Sequence, residues 1–566
     1  MIVETLACLV LILGVVLGLA RPVVGLFRLT PAESLVAGAA LSLIAAWAIA
    51  WAVFTSGAPL SAYWLVPALA FGALAIDRRS LAALARDPAA RDLAGGQLLV
   101  TGWCVAWLSF VRSHSGGAWL DDWLEHWQRA LYFLHQWPAH TVFISTYEMP
   151  ARPPLANVLT AVFLRLTRVD YAQYQVVMAT LSSLAFLPLG LLALRLGGRP
   201  AVRIAAVIAM VNPMFVENAT YPWTKLNAAF FVLAGLYFFL RVRDADKPPE
   251  RPGVLCALCL GGAVVTHYSA GPYVTVLAAA WIASGFARRW DRGFTRATAL
   301  AAAAGACVLL PWFLWSAGEY GWRSTLLSNS SVTSLDRWGG SHLAKVLLNL
   351  RDTLVPSQVR GFSGQLMRET SPWASLRDNC FMLYQVNLPF TVGCIGLLVL
   401  LREGRRTWAR ARPADRVFWA WVLGGCLTLS IAVYGDRERY GIAHICMASA
   451  VLLGLAFIAS RWDHLGRGWR AALVAGWAVD FALGIGLQFA LEDYAIDRWL
   501  DPGRPLTEIA ASYNVVAQAN LTEKIIAHLA YFADILTAPP ALVLALLASF
   551  LCLAIVRVRR PAPASE

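Results

Sequence analysis

Long runs without a charged side chain divide this sequence, for example 36–54, 272–284 and 539–556. A helix needs about 20 consecutive apolar residues to cross a hydrocarbon core of about 30 Å. Lipid offers no partner to a backbone N–H or C=O, so such runs must satisfy their hydrogen bonds within helices. Spans are expected near 2–20, 36–54, 61–76, 97–111, 174–194, 203–217, 226–240, 253–265, 272–284, 297–316, 388–401, 417–434, 441–460, 471–490 and 539–556. The expected fold is an all-α, polytopic transmembrane bundle of about 15 spans with interfacial helices. Composition agrees, since 58% of the 566 residues are hydrophobic and only 14% charged. The first span lacks a basic leader and a small-residue cleavage site, and is taken as a retained helix.

Lysine and arginine orient the bundle. Alternating loops collect 29 of the 47 basic residues on one side, the densest being 402–416. The other side carries 15 in three long loops and only Lys225, Arg437 and Arg439 in short ones. The positive-inside rule makes the first side cytoplasmic and the long loops external. The net charge of +13 is thus topological and gives no footprint for nucleic acid. The low lysine share (four of the basic residues) suits a GC-rich bacterial genome, and an inner-membrane location is expected. Nine of ten cysteines fall in spans; Cys256 and Cys259 form a CxxC inside an apolar helix, where core packing outweighs metal or redox chemistry.

The expected organisation is four-part. Residues 1–96 form scaffold helices and 97–316 a catalytic core with a first external loop at 112–173. An external loop region follows at 317–387, then C-terminal helices at 388–566 with an external cap at 491–538. Within the first loop, Trp123, Trp127, Leu131 and Leu134 recur at helical spacing, which predicts an interfacial helix. Pro154 to Leu166 is a second such segment, and 344–354 reads as helix.

Polar residues of functional type gather at external loop–helix junctions. Adjacent Asp121 and Asp122 open the Trp-rich stretch, with Glu125 and His126 behind them. Neighbouring carboxylates raise each other's pKa unless a cation holds them. Tyr147, Glu148 and Arg152 follow, then Glu217, Tyr221 and Lys225, then His267 and Tyr268, then Asp436 to Tyr440. Charges at the rim of apolar helices face cavities or partners. Each also has a plain structural reading: one Asp as an N-cap, Glu125 as a capping-box partner of Asp122, His126 as packing, Lys225 as a snorkelling anchor.

The pattern resembles the GT-C superfamily of integral-membrane glycosyltransferases, in particular the branch of protein O-mannosyltransferases and the lipid A aminoarabinose transferase. The resemblance rests on Asp121-Asp122 in the first large external loop, then Arg152-Pro153-Pro154-Leu155, and then Arg439-Tyr440 opening Gly441-Ile442-Ala443-His444 without that family's proline. It runs from about residue 97 to 460, while the helices before residue 77 depart from the smaller members. It implies transfer of a sugar from a polyprenyl-phosphate donor to an acceptor hydroxyl of a glycan, lipid or protein, on the external face, with inversion. Asp122, then Asp121, are the implied catalytic residues. Arg152, Lys225, Arg437, Arg439 and Tyr440 are the candidates around the carrier phosphate, and Glu217, His267 and Tyr268 line the same pocket. No obligatory metal is expected, although a divalent cation on the two aspartates stays compatible. An O-antigen-ligase-like transferase and a lipid or solute transporter are the competing classes; the latter calls for internal repeats and mid-span charges.

Overall fold

A computed structural model of the protein describes residues 2–110, 120–143, 147–244, 249–328, 341–356, 359, 372–434, 447–491 and 540–559. The side chains of 120–124, 372–375, 378 and 489 lie outside that description. Among the described residues, regular structure is helical, with one isolated β-bridge between Phe143 and Tyr147. Nine of these helices are long and apolar enough to cross a membrane, or ten if the bent pair Leu60–Ile76 and Arg78–Arg86 forms one span. The protein is a multi-pass helical membrane protein.

Burial is graded from the middle of the bundle outward. The apolar window of Tyr171–Val211 is wholly buried and that of Lys225–Arg243 is 94% buried, whereas Arg292–Leu327 and Pro540–Arg559 bury only 17%. Leu310, Leu314, Leu542 and Leu544 therefore point outward, as lipid-facing side chains do. Phe186–Val211 packs against both Pro88–Trp107 and Ala448–Arg461, and Glu250–Thr266 lies between Lys225–Arg243 and Arg292–Leu327.

Several expected spans take a different form. In place of 174–194 and 203–217, the chain forms Tyr171–Ser183, then Phe186–Val211, then the short helix Pro213–Thr220. Gly198 (φ 72°, ψ −170°) breaks the second of these, where Pro200 disfavours helical geometry at Arg199. Asn212 starts the third, its Oδ1 accepting from Phe215 N at 3.1 Å. Periodicity marks apolar length, and neither a glycine break nor an Asx cap interrupts that signal.

The two amphipathic segments form helices, but neither lies on the surface. Leu120–His135 buries Trp127 and Leu134 on one side and Glu125, His126, Gln128 and Arg129 on the other. Leu155–Leu166 is buried from Leu155 to Leu164. The N-terminal helix Pro31–Ser56 supports the first of these: Phe54 meets Phe133 edge-on at 4.9 Å between centroids, and Trp51 meets Trp312 and Trp315. Each such aromatic pair adds about 0.5–1.5 kcal/mol beyond area burial. The segment expected to be helical at 344–354 lies within His342–Leu354, whereas the expected cap at 491–538 lies almost wholly outside the described residues.

Gly198 supplies a direct test. Its backbone is left-handed, so Gly198→Ala is expected to destabilise by about 1–2 kcal/mol although the added Cβ has room. Gly318→Ala, in an exposed helical position with open space around it, is expected to stabilise by about 0.5–1 kcal/mol. Thermal unfolding of both variants in detergent checks the opposite signs.

Candidate functional site

The Leu120–His135 helix is fixed by charge as well as by packing. Arg129 is wholly buried, and its Nε donates to Glu125 Oε1 at 2.8 Å, one helical turn away. Its other nitrogens donate to the carbonyls of Met149 (3.0 Å) and Glu148 (2.9 Å), and its guanidinium lies over the Phe143 ring at 4.5 Å. One guanidinium thereby ties the helix to the 147–151 turn that precedes Arg152. Arg152 Nε stands 3.7 Å from Glu125 Oε2, with the guanidinium 5.2 Å from the Tyr147 ring centroid. Burial pushes the Glu125 carboxyl up, but Arg152, Arg129 and His126 together hold it below the ordinary carboxylate value. Glu125 is thus the shared counter-ion of two arginines, not the capping-box partner of Asp122. The backbone is already helical at Leu120, which puts Asp121 and Asp122 inside the first turn; their carboxylates lie outside the described residues.

Behind this pair stand two neutral histidines. His126 Nδ1 lies 3.2 Å from Asn157 Oδ1, so the neutral ring carries its proton on Nδ1. Burial lowers its pKa to about 3, Glu125 opposing and Arg152, Arg129 and Lys225 reinforcing. His267 Nδ1 accepts from Ser269 N at 3.0 Å, which leaves the proton on Nε2. Burial, then Arg152, Lys225 and His126, hold His267 well below the ordinary histidine value. Both rings therefore experience both cations, and Arg152, Lys225, His126 and His267 belong to one electrostatic group.

Lys225 is the first residue of Lys225–Arg243, with Nζ 3.9 Å from the Trp223 ring centroid. A cation at the positive end of a helix is electrostatically misplaced unless an anion is to meet it there. Tyr268 joins the same region: its hydroxyl donates to the Pro150 carbonyl at 3.3 Å and accepts from Trp312 Nε1 at 3.4 Å. Its own carbonyl accepts from the Tyr434 hydroxyl. Arg437, Arg439 and Tyr440 lie outside the described residues, but Tyr434, the last described residue before them, is thereby anchored to the site.

Glu217 sits apart from the cationic group. Its carboxylate accepts from Gln385 Nε2, and Asn218 Nδ2 donates to Gln385 Oε1 (2.6 Å) and to the Met214 carbonyl (2.8 Å). Burial raises the Glu217 carboxyl well above the ordinary value, against the Gln385 hydrogen bond. Glu217 Oε1 has no hydrogen-bond partner among the described residues. The Tyr221, Trp223 and Phe381 rings link the two parts: Lys225 lies on Trp223, Tyr221 stacks on it at 3.9 Å, and Phe381 precedes Gln385 by one helical turn.

Sequence reasoning missed Arg129, Asn157 and Gln385. The Glu125–Arg129 spacing of four was a usable signal for an ion pair. Nothing in sequence pairs Gln385 with Glu217, 168 residues away. Cys256 and Cys259 are buried free thiols, and among the described residues no group of three His, Cys, Asp or Glu is arranged to hold a metal.

Two measurements test this geometry. Between pH of about 6.5 and about 3 the unfolded chain protonates His126 while the folded chain does not, so its contribution to stability is lost as pH falls through that window. Glu125, with its lowered pKa, loses stability in the same direction. Wild type is expected to lose melting temperature between pH 7 and 4.5 more steeply than His126→Gln, and parallel curves would refute the assignment. At Glu217, the isosteric Glu217→Gln is expected to unfold within about 1 kcal/mol of wild type, whereas Glu217→Ala strands the Gln385 amide and costs about 1–3 kcal/mol. Denaturation of the detergent-solubilised variants reads the difference.

No family model matches the sequence, and no curated protein matches it significantly. Solved structures with a related course of the chain include ArnT from Cupriavidus metallidurans in the apo state, at 16% identity and TM-score 0.45 over 80% of this chain and 76% of that one. The same enzyme bound to undecaprenyl phosphate matches at 15% identity and TM-score 0.45, over 81% and 77%. The archaeal oligosaccharyltransferase AglB from Archaeoglobus fulgidus, in complex with an inhibitory peptide and a dolichol-phosphate, matches at 14% identity and TM-score 0.40, over 75% and 59%.

Proposed function

We propose that the protein is a membrane glycosyltransferase that moves a sugar from a polyprenyl-phosphate carrier to an acceptor hydroxyl at the external membrane face, with inversion. The observation that carries this reading is the convergence of Arg152, Lys225, His126 and His267 beside the helix that begins with Asp121 and Asp122. A lipid-linked phosphate and a general base are the two things such a reaction needs from the protein.

The chemistry balances at these residues. Asp122 takes the acceptor hydroxyl proton as the acceptor oxygen bonds to the anomeric carbon. The bond from that carbon to the phosphate oxygen breaks on the opposite face, and its electron pair leaves with the carrier phosphate. Asp121 orients the acceptor or offsets oxocarbenium charge. Arg152, Lys225, Arg437 and Arg439 stabilise the growing phosphate charge, the arginines through bidentate contacts. Burial keeps both histidines neutral, so they serve as hydrogen-bonding walls without adding further positive charge. Glu217, His267, Tyr268 and Tyr440 complete the pocket around the sugar. A divalent cation is not required by this scheme.

Asp122→Asn is expected to lower transfer at least about 100-fold in a purified assay with a polyprenyl-phosphate sugar, leaving solubilised yield and melting temperature unchanged. Arg152→Ala and Arg439→Ala are each expected to lower kcat/KM about 100- to 1000-fold. Arg412→Ala, an exposed arginine at the opposite end of the bundle, is expected to have no effect. An active Asp122→Asn enzyme, or equal losses at Arg412 and Arg439, would overturn the assignment.

A further inference from the structure

A second concentration of positive charge lies at the other end of the bundle, where three separate chain segments meet. Asp92, near the start of Pro88–Trp107, is its only acid among the described lining residues. Arg199 Nε donates to Asp92 Oδ2 at 2.8 Å, and Arg203 donates to both carboxylate oxygens at 3.1 and 3.2 Å. Arg557, in the last turn of Pro540–Arg559, reaches Asp92 Oδ1 at 3.7 Å and donates to the Asp92 carbonyl at 3.0 Å. Arg203 also donates to the Arg557 carbonyl at 3.1 Å, which secures the end of that helix. Exposed Arg91 joins them, with Pro88 as the remaining wall of a pocket of about 220 Å³.

One carboxylate does not neutralise four guanidinium groups. The lining residues carry a net +3, from Arg91, Arg199, Arg203 and Arg557 against Asp92. Structural ion-pair networks approach neutrality, because surplus buried charge is unfavourable. A surplus around an open pocket is instead the chemistry that recognises phosphate, whose oxygens accept paired guanidinium donors. The pocket has room for such a group, being several times the ~30 Å³ share of one water. It also lies on the face that the distribution of Lys and Arg assigns to the cytoplasm, where anionic headgroups sit. One wall, Pro540–Arg559, buries little of its apolar surface and so borders the lipid.

We propose that this pocket binds a phosphate-bearing anion, with the phosphodiester headgroup of an anionic phospholipid in the adjoining leaflet as its occupant. Its residues are separate from those of the external site, so the proposal does not depend on the transferase reading. Binding there tightens the junction of Pro88–Trp107, Phe186–Val211 and Pro540–Arg559, adding to Asp92 the anion that the arginines lack.

The test uses the full chain, purified and delipidated in neutral detergent. Phosphatidylglycerol, phosphatidylcholine and inorganic phosphate are titrated separately, with melting temperature and lipid retention in native mass spectrometry as readouts. Phosphatidylglycerol is expected to raise the melting temperature and phosphatidylcholine to leave it unchanged. Arg91→Gln, which removes one pocket charge and leaves the Asp92 pairs intact, is expected to weaken phosphatidylglycerol about fivefold, and Arg412→Gln on the same face to have no effect. If inorganic phosphate protects as well as the lipid and Arg91→Gln weakens it equally, the phosphate site stands and the lipid assignment falls. Equal protection by phosphatidylcholine, or equal effects of Arg91→Gln and Arg412→Gln, overturns the site.

Discussion

The external site depends on one buried charge. Arg129 has no access to water, so all of its donors must be satisfied by protein, and its position is dictated by where acceptors exist. Glu125 supplies one, within the same helix; the Met149 and Glu148 carbonyls supply the others. These bonds lock the Leu120–His135 helix to the turn that delivers Arg152. Removing either partner of such a pair leaves an uncompensated buried charge, at about 3–5 kcal/mol. Two groups that would act on substrate, the aspartate pair and Arg152, thus take their relative placement from a residue that is itself inaccessible. Packing of Phe133 and Phe143 on either side adds shape but no direction, whereas the ion pair adds direction.

That arrangement also separates the roles of charged and neutral groups. Four cations near one pocket would repel one another and any protonated histidine. Burial resolves this by keeping His126 and His267 uncharged, each with one ring nitrogen committed to a partner, Asn157 or the Ser269 amide. Glu217 is handled in the opposite sense: its carboxyl is kept neutral by burial and held by Gln385. The site accordingly combines fixed positive charge on one side with neutral hydrogen-bonding groups on the other. A charged phosphate and an uncharged sugar ring call for those two environments side by side.

How much of this was legible in the sequence follows from the range of each interaction. The membrane class, most of the helices and the grouping of Arg152, Lys225, His267 and Tyr268 follow from hydropathy and from charges placed at helix rims, both local signals. The breaks at Gly198 and Asn212 were not legible as such, because apolar composition continues through them. The burial of Leu120–His135 was not legible either. Its amphipathic pattern matches an interfacial helix, and only the partners on Pro31–Ser56 and Arg292–Leu327 show that its polar face is also enclosed. Glu217 was expected beside the cations and stands instead with Gln385, since a pairing across 168 residues leaves no trace in spacing.

The two ends of the bundle carry similar charge for different reasons. At the cytoplasmic end the surplus is set by topology, and arginines accumulate there whatever the activity. Asp92 turns part of that surplus into structure by drawing Arg199, Arg203 and Arg557 into one pocket. At the external end the topology rule disfavours cations in short loops, so Lys225 stands against the trend, at a helix N-terminus where the dipole disfavours it again. A residue retained against two separate electrostatic penalties needs a compensating anion, and a lipid-borne phosphate arriving from the outer leaflet is an anion that can reach it.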